Sequence, residues 1–199
     1  ASALYEQGDY REAIELYTKI LDEGKASGNL YYNIGNCYFK RKEIGKAVLY
    51  YKRALRLMPR DADVRSNLEF ALSQVKQPDM TGQPFWPARF LRYLTAPFSI
   101  DELTLALSLF FILLLSFTLL WAARRVSMKG MLGVLFFCLV LGSIAGYGAA
   151  AKIGALGKEA IITADEAAAR FGTFERATAH FTLYEGMQVR CVEEKGQWV

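Results

Sequence analysis

Two uncharged stretches decide how this chain is organised: LTLALSLFFILLLSFTLLWAA at residues 103–123 and GMLGVLFFCLVLGSIAGYGAAA at residues 130–151. As an α-helix, the first stretch would be roughly 31 Å long, which is about the thickness of a bilayer core. Only residues 124–129 separate the two stretches. Because backbone polar groups must be paired inside lipid, this pattern predicts an antiparallel transmembrane helical hairpin over residues 102–152.

The short connector between the two apolar stretches carries Arg124, Arg125 and Lys129 and no acidic residue. Positive residues in short loops favour the cytoplasmic side of a membrane, so loop 124–129 is predicted to be cytoplasmic. Both flanking segments would then face the extracytoplasmic side, which is the periplasm in a cell with two membranes. Neither stretch has an ionisable residue at mid-depth, which argues against a channel or a proton-coupled transporter.

The second apolar stretch contains a G-x-x-x-G pattern at Gly142 and Gly146. Small residues at this spacing let two helices approach closely within lipid, so both glycines are predicted to be helix-packing positions. Packing against the first helix of the same hairpin is favoured over a seam between two copies of the chain.

The first third of the chain repeats itself at a spacing of 34 residues, in the pairs Ala13 with Ala47, Tyr17 with Tyr51 and Leu21 with Leu55. This is the period of the tetratricopeptide repeat (TPR), a pair of antiparallel helices. The second copy resembles that repeat nearly throughout, at Tyr31, Ile34, Gly35, Tyr38, Ala47, Tyr51, Ala54 and Pro59. The resemblance implies that Gly35 and Ala47 leave room where the two helices approach.

The repeat region is predicted to cover residues 1–76. Its first copy lacks most of its first helix, since the chain begins in the middle of a helical pattern, which indicates a fragment of a longer protein. After Pro59, residues 61–76 read as a terminal capping helix with Asp61 as its N-cap and one apolar stripe.

The resemblance to TPR proteins also implies a concave groove that binds a peptide of a partner protein. Chaperone-binding members capture a carboxylate with basic residues on the next helix, where this chain has Asp63 and Asn67, which argues against that ligand. Amide and aromatic side chains suit the backbone and the apolar side chains of a peptide. The implied groove positions are Asn29, Tyr32, Asn33, Asn36, Phe39 and Lys40.

Residues 77–101 are predicted to be an interfacial linker, because they combine aromatic residues with Pro78, Pro84, Pro87 and Pro97. Residues 87–94 read either as a short helix on the membrane surface, with arginines near lipid head groups, or as a packed loop. Ser99 and Glu102 have the spacing of a capping box at the start of the first membrane helix.

Residues 153–199 change to short β-like runs at 160–163, 179–183 and 187–192. They resemble a bacterial SH3-like (SH3b) domain over residues 182–189 and 192–198. Ala167–Arg170 occupies the place of the family's Leu-Asn-Val-Arg and lacks its Asn. The last strands are missing, so the segment is predicted to be an incomplete small barrel.

Little in the sequence points to chemistry. The net charge of +4 is spread over alternating signs, which argues against binding of nucleic acid. Cys37, Cys138 and Cys191 lack metal-ligand spacing; Cys37 and Cys191 either pair between two domains or, as is favoured, stay unpaired. His180 is the only histidine, and pairing it as a base with Cys191 as a nucleophile would need an orienting group and an oxyanion site that nothing in the sequence indicates. We predict no enzymatic activity, no catalytic or metal site and no cofactor.

The order of repeat, linker, hairpin and SH3b-like segment resembles the TPR-containing proteins of the bacterial Bat aerotolerance operon (BatE-like). The resemblance implies a mainly α, non-enzymatic scaffold in an inner-membrane complex linked to envelope integrity or oxidative-stress tolerance. Its implied partners are membrane proteins with von Willebrand A domains and a MoxR-type ATPase. The alternative is an envelope module that binds peptidoglycan through the SH3b-like segment, for which Trp198 would be a contact.

Overall fold

The computed structural model describes residues 1–75, 86–123, 127–156, 159–170 and 178–191, with the backbone alone at 179 and 180. These residues form eight helices and four short strands, which confirms the mainly α fold. The chain divides into two units, Ala1–Thr81 together with Gly157–Val199, and Gly82–Leu156. The predicted bounds of the four domains stay a prediction.

The first unit begins with five helices, which pack on their neighbours in chain order: α1 (Ser2–Gln7), α2 (Tyr10–Asp22), α3 (Gly28–Lys40), α4 (Ile44–Leu57) and α5 (Ala62–Ser73). Two apolar clusters hold them together. One joins Ala13, Ile14 and Tyr17 of α2 to α3, and the other joins α4 to Leu68 and Ala71 of α5. Each helix therefore buries one stripe against the next, as in a helical repeat.

Side-chain caps explain where two of these helices begin. The Ser27 hydroxyl accepts a hydrogen bond from Leu30 N at 3.2 Å at the start of α3. The Asp61 carboxylate accepts one from Val64 N at 2.9 Å at the start of α5, which confirms the predicted N-cap. Both bonds satisfy amide groups that have no partner inside the helix.

Replacing Asp61 with alanine is expected to lower the free energy of unfolding by about 1 kcal/mol, because the amide of Val64 loses its acceptor. Urea titration of the detergent-solubilised chain, followed by circular dichroism, measures the change. Glu69→Ala, on an exposed position in the interior of the same helix, is the matched control and should change the midpoint little. Equal effects of the two substitutions would contradict the capping role of Asp61.

The four described strands form two antiparallel pairs. β1 (Glu159–Ile161) pairs with β4 (Gln188–Arg190), and β2 (Glu166–Arg170) pairs with β3 (Ala179–Tyr184). A turn with Gly186 at φ 82° joins β3 to β4, and Met187 is buried behind it. The predicted SH3-like barrel stays a prediction, and its matching residues 192–198 lie outside the described part of the chain.

The strands pack on α4 of the repeat region. Glu185 accepts a hydrogen bond from Gly45 N at 2.7 Å, and Lys52 Nζ donates to Gln188 Oε1 at 2.7 Å and to Glu159 Oε2 at 3.1 Å. Ile161 adds an apolar contact to the cluster between α4 and α5. We call this contact the α4–strand interface; it joins segments that lie before and after the two apolar helices in the chain.

The second unit holds α6 (Trp86–Thr95), α7 (Ile100–Ala122) and α8 (Met128–Ala155). Residues 87–94 lie within α6, so a helix is confirmed over a loop, and its place on a membrane surface stays a prediction. The capping box is also confirmed, with Glu102 N to Ser99 Oγ at 3.1 Å and Ser99 N to Glu102 Oε2 at 2.8 Å. This box explains why α7 begins at Ile100 rather than at the first residue of the apolar run.

Both long helices, α7 and α8, are long and apolar enough to cross a membrane. They pack against each other as a hairpin. Gly142 faces the ring of Phe110, and a Cβ placed on Gly142 would lie 3.0 Å from that ring, whereas one on Gly146 would meet nothing within 4 Å. Close packing within the hairpin therefore involves Gly142. Arg124 and Arg125 of the connector lie outside the described residues.

Candidate peptide-binding groove

The six predicted groove residues share one face of α3. At 100° per residue, Asn29, Asn33 and Lys40 lie on one half of this face, and Tyr32, Asn36 and Phe39 lie on the half towards α4 and α5. Asn29 and Lys40 are exposed and Asn33 is half-buried. The half with Asn29, Asn33 and Lys40 is thus accessible to a ligand, whereas the half towards α4 and α5 contributes to packing.

A hydrogen-bonded network joins that side of α3 to the next two helices. The Tyr51 hydroxyl donates to Asn36 Oδ1 at 2.8 Å. Asn67 Nδ2 donates to the Tyr32 hydroxyl at 2.9 Å and to Asn36 Oδ1 at 3.2 Å. The Tyr32 hydroxyl oxygen and Asn36 Oδ1 are therefore already engaged within the protein, and these bonds hold the wall of the groove in place.

The second wall of the groove is α5. Phe70 of α5 packs on Phe39 with ring centroids 5.6 Å apart, and it remains exposed. Sequence reasoning missed Phe70. The signal that could have found it is its spacing, since Phe70 follows Asp63 by seven residues and Asn67 by three and so shares their helix face.

The walls of this groove carry different charges from the walls of a groove that binds a carboxylate. Asp63 is exposed on the α5 wall, and Asn67 is bonded to Tyr32 and Asn36. An acidic side chain repels a ligand carboxylate, while Lys40 at the other wall is the single basic residue among the six predicted positions. The groove therefore combines amides, an aromatic pair and one charge of each sign.

Behind the groove, α3 and α4 approach at a glycine. A Cβ added to Gly35 would lie 2.7 Å from two ring atoms of Tyr51, closer than a real Cβ ever packs. The ring of Tyr51 fills this space and is 1% exposed. The predicted contact of Gly35 with the partner helix is present, and burial raises the pKa of the Tyr51 hydroxyl.

This glycine–tyrosine contact within a helix pair is the packing that the repeat resemblance implied. Residues 1–62 match the family described as Tetratricopeptide repeat. Over these residues the chain contains a TPR, and we call helices α1–α5, which include them, the TPR region. Such repeats point to protein partners in general and to a role as an interaction scaffold. A comparison with curated proteins finds no match.

The TPR region also buries a thiol. Cys37 is fully buried between α2 and α3, on a different side of α3 from the groove, and it is free, as are Cys138 and Cys191. Burial raises the pKa of the Cys37 thiol from its ordinary value of 9.0 to about 11. A buried protonated thiol is a weak nucleophile, so Cys37 is a packing residue of the TPR region.

The raised pKa of Cys37 makes the stability of the TPR region depend on pH. The thiol ionises at a lower pH in the unfolded chain than in the folded chain. The contribution of Cys37 to the free energy of unfolding is therefore fully present below pH 9. It is lost as the pH rises to about 11, by up to about 1.4 kcal/mol per pH unit. Urea titrations of the native chain and Cys37→Ala across this range should show the steeper loss in the native chain. Other groups contribute equally to both proteins, so parallel curves would contradict this assignment.

Among the described residues, no group of three or more His, Cys, Asp or Glu is placed to hold a metal ion. The side chain of His180 and all of Trp198 lie outside the described part of the chain. The structure brings predicted groove residues of α3 together with Asn67 and Phe70 of α5, so the groove is the candidate functional site.

Proposed function

We propose that this protein is a non-enzymatic scaffold, anchored in the bacterial inner membrane by the α7–α8 hairpin, that binds a protein partner through its TPR groove. The observation that carries the proposal is the accessible strip formed by Asn29, Asn33 and Lys40 on α3, together with the exposed ring of Phe70 on α5, which packs on Phe39 of α3. Amides can bond a peptide backbone, and the ring offers a flat apolar contact. The ligand that fits best is an extended or helical segment without a terminal carboxylate.

The proposed topology has the TPR region and the strand segment on the periplasmic side. The α4–strand interface supports an even number of membrane crossings, because Lys52 precedes the hairpin in the chain and its partners Glu159 and Gln188 follow it. Two crossings satisfy this condition. The basic connector, in which Lys129 lies within α8, favours the cytoplasmic side for the turn.

The resemblance to the Bat aerotolerance proteins makes the proposal more specific. It supports a complex with membrane proteins that carry von Willebrand A domains and with a MoxR-type ATPase, in envelope integrity or oxidative-stress tolerance. In this role the TPR region supplies binding and the hairpin supplies location, and the protein carries out no reaction of its own.

Site-specific photocrosslinking in intact cells tests the groove. A photoreactive residue is placed at Asn29, Lys40 or Phe70, and at the exposed positions Lys19 and Arg56 outside the groove as controls. We expect protein adducts from the three groove positions and not from the controls. Adducts that form equally at Lys19 and Arg56 would contradict a groove-specific partner.

Thiol labelling tests the topology separately. In a chain whose three cysteines are replaced by alanine, single cysteines are introduced at Ser66, Glu166 or Met128, all of them exposed. After the outer membrane is permeabilised, a membrane-impermeant maleimide should label positions 66 and 166, and position 128 only once the inner membrane is opened. The reverse pattern would place the TPR region in the cytoplasm.

A further inference from the structure

Helix α6 presents an aromatic face that the scaffold function leaves unexplained. Trp86, Phe90 and Tyr93 follow one another at intervals of four and three residues and so share one side of the helix. Their exposed fractions are 72%, 56% and 77%. Three large aromatic residues on one exposed face form an apolar surface of the kind that contacts a partner.

The opposite side of α6 is packed against the hairpin. Thr95 is buried, and it lies so close to α8 that a Cβ on Gly148 would be 2.7 Å from Thr95 Cβ. Lys152 Nζ donates to the carbonyl oxygens of Ala96, at 3.1 Å, and of Phe98, just beyond the end of α6. These contacts fix both the position of α6 and the direction in which its aromatic face points.

The contacts also place α6 at one particular end of the hairpin. Asp101 and Glu102 in the first turn of α7 and Lys152 in the last turn of α8 mark the end of the apolar surface. In a membrane-spanning hairpin this level is the boundary between acyl chains and head groups. Trp and Tyr are enriched at this boundary, where their rings are in apolar surroundings and their polar atoms reach water.

We propose that α6 lies in the membrane surface, with Trp86, Phe90 and Tyr93 among the outer acyl carbons and with Arg89 and Arg92 near lipid phosphates. The two arginines follow the aromatic face on one flank of the helix, as expected for a helix on an anionic bilayer. This inference rests on the proposed membrane insertion of α7 and α8, and it assigns lipid as the occupant of the aromatic face.

Tryptophan fluorescence of the full chain in lipid vesicles tests the depth of α6. Trp121 and Trp198 are replaced by phenylalanine, which leaves Trp86 as the single probe. The vesicles contain lipids brominated either near the head group or deep in the acyl chain. We expect Trp86 to be quenched more strongly by the shallow bromines, consistent with insertion of roughly 5–10 Å.

Two matched single-tryptophan proteins calibrate this measurement. Phe111→Trp, at the middle of α7, reports insertion of the hairpin, and Phe70→Trp, on the TPR groove, reports an aqueous position. Position 111 should be quenched mainly by deep bromines and position 70 by neither set. Quenching at position 111 without quenching of Trp86 would overturn the α6 inference and leave the hairpin intact. Absence of quenching at both would overturn the hairpin and the inference together.

The role of the arginines is tested with a neutral aqueous quencher. Adding phosphatidylglycerol to phosphatidylcholine vesicles should decrease the quenching of Trp86 by acrylamide, because the surface charge draws α6 closer. Arg89→Gln with Arg92→Gln should abolish this response, whereas Arg56→Gln with Arg65→Gln should keep it. An unchanged response in the first double variant would overturn the contact with phosphates. If neither the brominated lipids nor acrylamide quench Trp86, the aromatic face of α6 is covered by a protein and not by lipid.

Discussion

Replacing Tyr51 with alanine is expected to lower the free energy of unfolding of the TPR region by about 3–5 kcal/mol. The ring is 1% exposed and fills the space that Gly35 leaves on α3. Its removal leaves a cavity between α3 and α4, and Asn36 loses the hydroxyl that donates to it. A loss of this size is a large fraction of the stability of a typical domain.

The exposure of Cys37 to a thiol reagent measures this effect in the full chain. With Cys138 and Cys191 replaced by alanine, Cys37 reacts only when the TPR region opens, since it is fully buried. We expect labelling of Tyr51→Ala to be on the order of a hundredfold faster or more. The reagent, the detergent and the pH are the same for all variants.

Tyr51→Phe is the matched control for Tyr51→Ala. It keeps the ring against Gly35 and removes the hydroxyl that donates to Asn36, which still accepts a hydrogen bond from Asn67. We therefore expect a loss of about 1 kcal/mol. If Tyr51→Ala costs no more than Tyr51→Phe, the Gly35–Tyr51 contact does not stabilise the repeat as the packing indicates.

Local signals in the sequence predicted much of the helical structure. Asp61 and Ser99 are N-caps whose bonds reach only three residues along the chain, so their side chains and spacing are sufficient to identify them. The two apolar stretches are similarly self-contained. The ends of α8 were less predictable, because Ser127 extends the helix at its start and Lys152 remains within its last turn.

Contacts between distant residues were not predictable in the same way. β2 was not among the predicted β-like runs, since its three alanines have little β propensity, and it forms because its backbone pairs with β3. In the groove, the face of α3 was recognised from its resemblance to TPR proteins. The bonds that engage Tyr32 and Asn36 depend on the placement of Asn67, 31 residues or more along the chain.

Gly45→Ala is expected to release the strands from α4 without unfolding the TPR region. The amide of Gly45 is one of the unpaired donors in the first turn of α4, whose own N-cap, Glu43, makes no side-chain cap bond. The carboxylate of Glu185 accepts from it across 140 positions of sequence. An acidic group at a helix N-terminus is also favoured by the helix dipole.

The substitution acts by steric overlap with backbone. A Cβ on Gly45 would overlap the carbonyl oxygen of Ile162 and lie 3.0 Å from Gly186 N and 2.7 Å from the Cγ of Glu185. Main-chain atoms cannot rotate away as a flexible side chain can, so the strand segment has to move. Relief of such overlap typically costs about 1–3 kcal/mol. Alanine meanwhile favours the helical state of α4 by up to about 1 kcal/mol relative to glycine.

Hydrogen exchange read by mass spectrometry separates these opposite effects in one experiment. Amides of β1 and β4 should exchange on the order of tenfold to a hundredfold faster in Gly45→Ala, while amides of α3 and α4 keep or gain protection. Gly133→Ala, in α8, is the matched control, because a Cβ there meets nothing within 4 Å.

Unchanged exchange in β1 and β4 would contradict the α4–strand interface. Faster exchange throughout the first unit would instead mean that the strands and the TPR helices unfold together. The expected pattern would mean that the strand segment is held on α4 by an interface weak enough to open locally, while the groove between α3 and α5 stays intact.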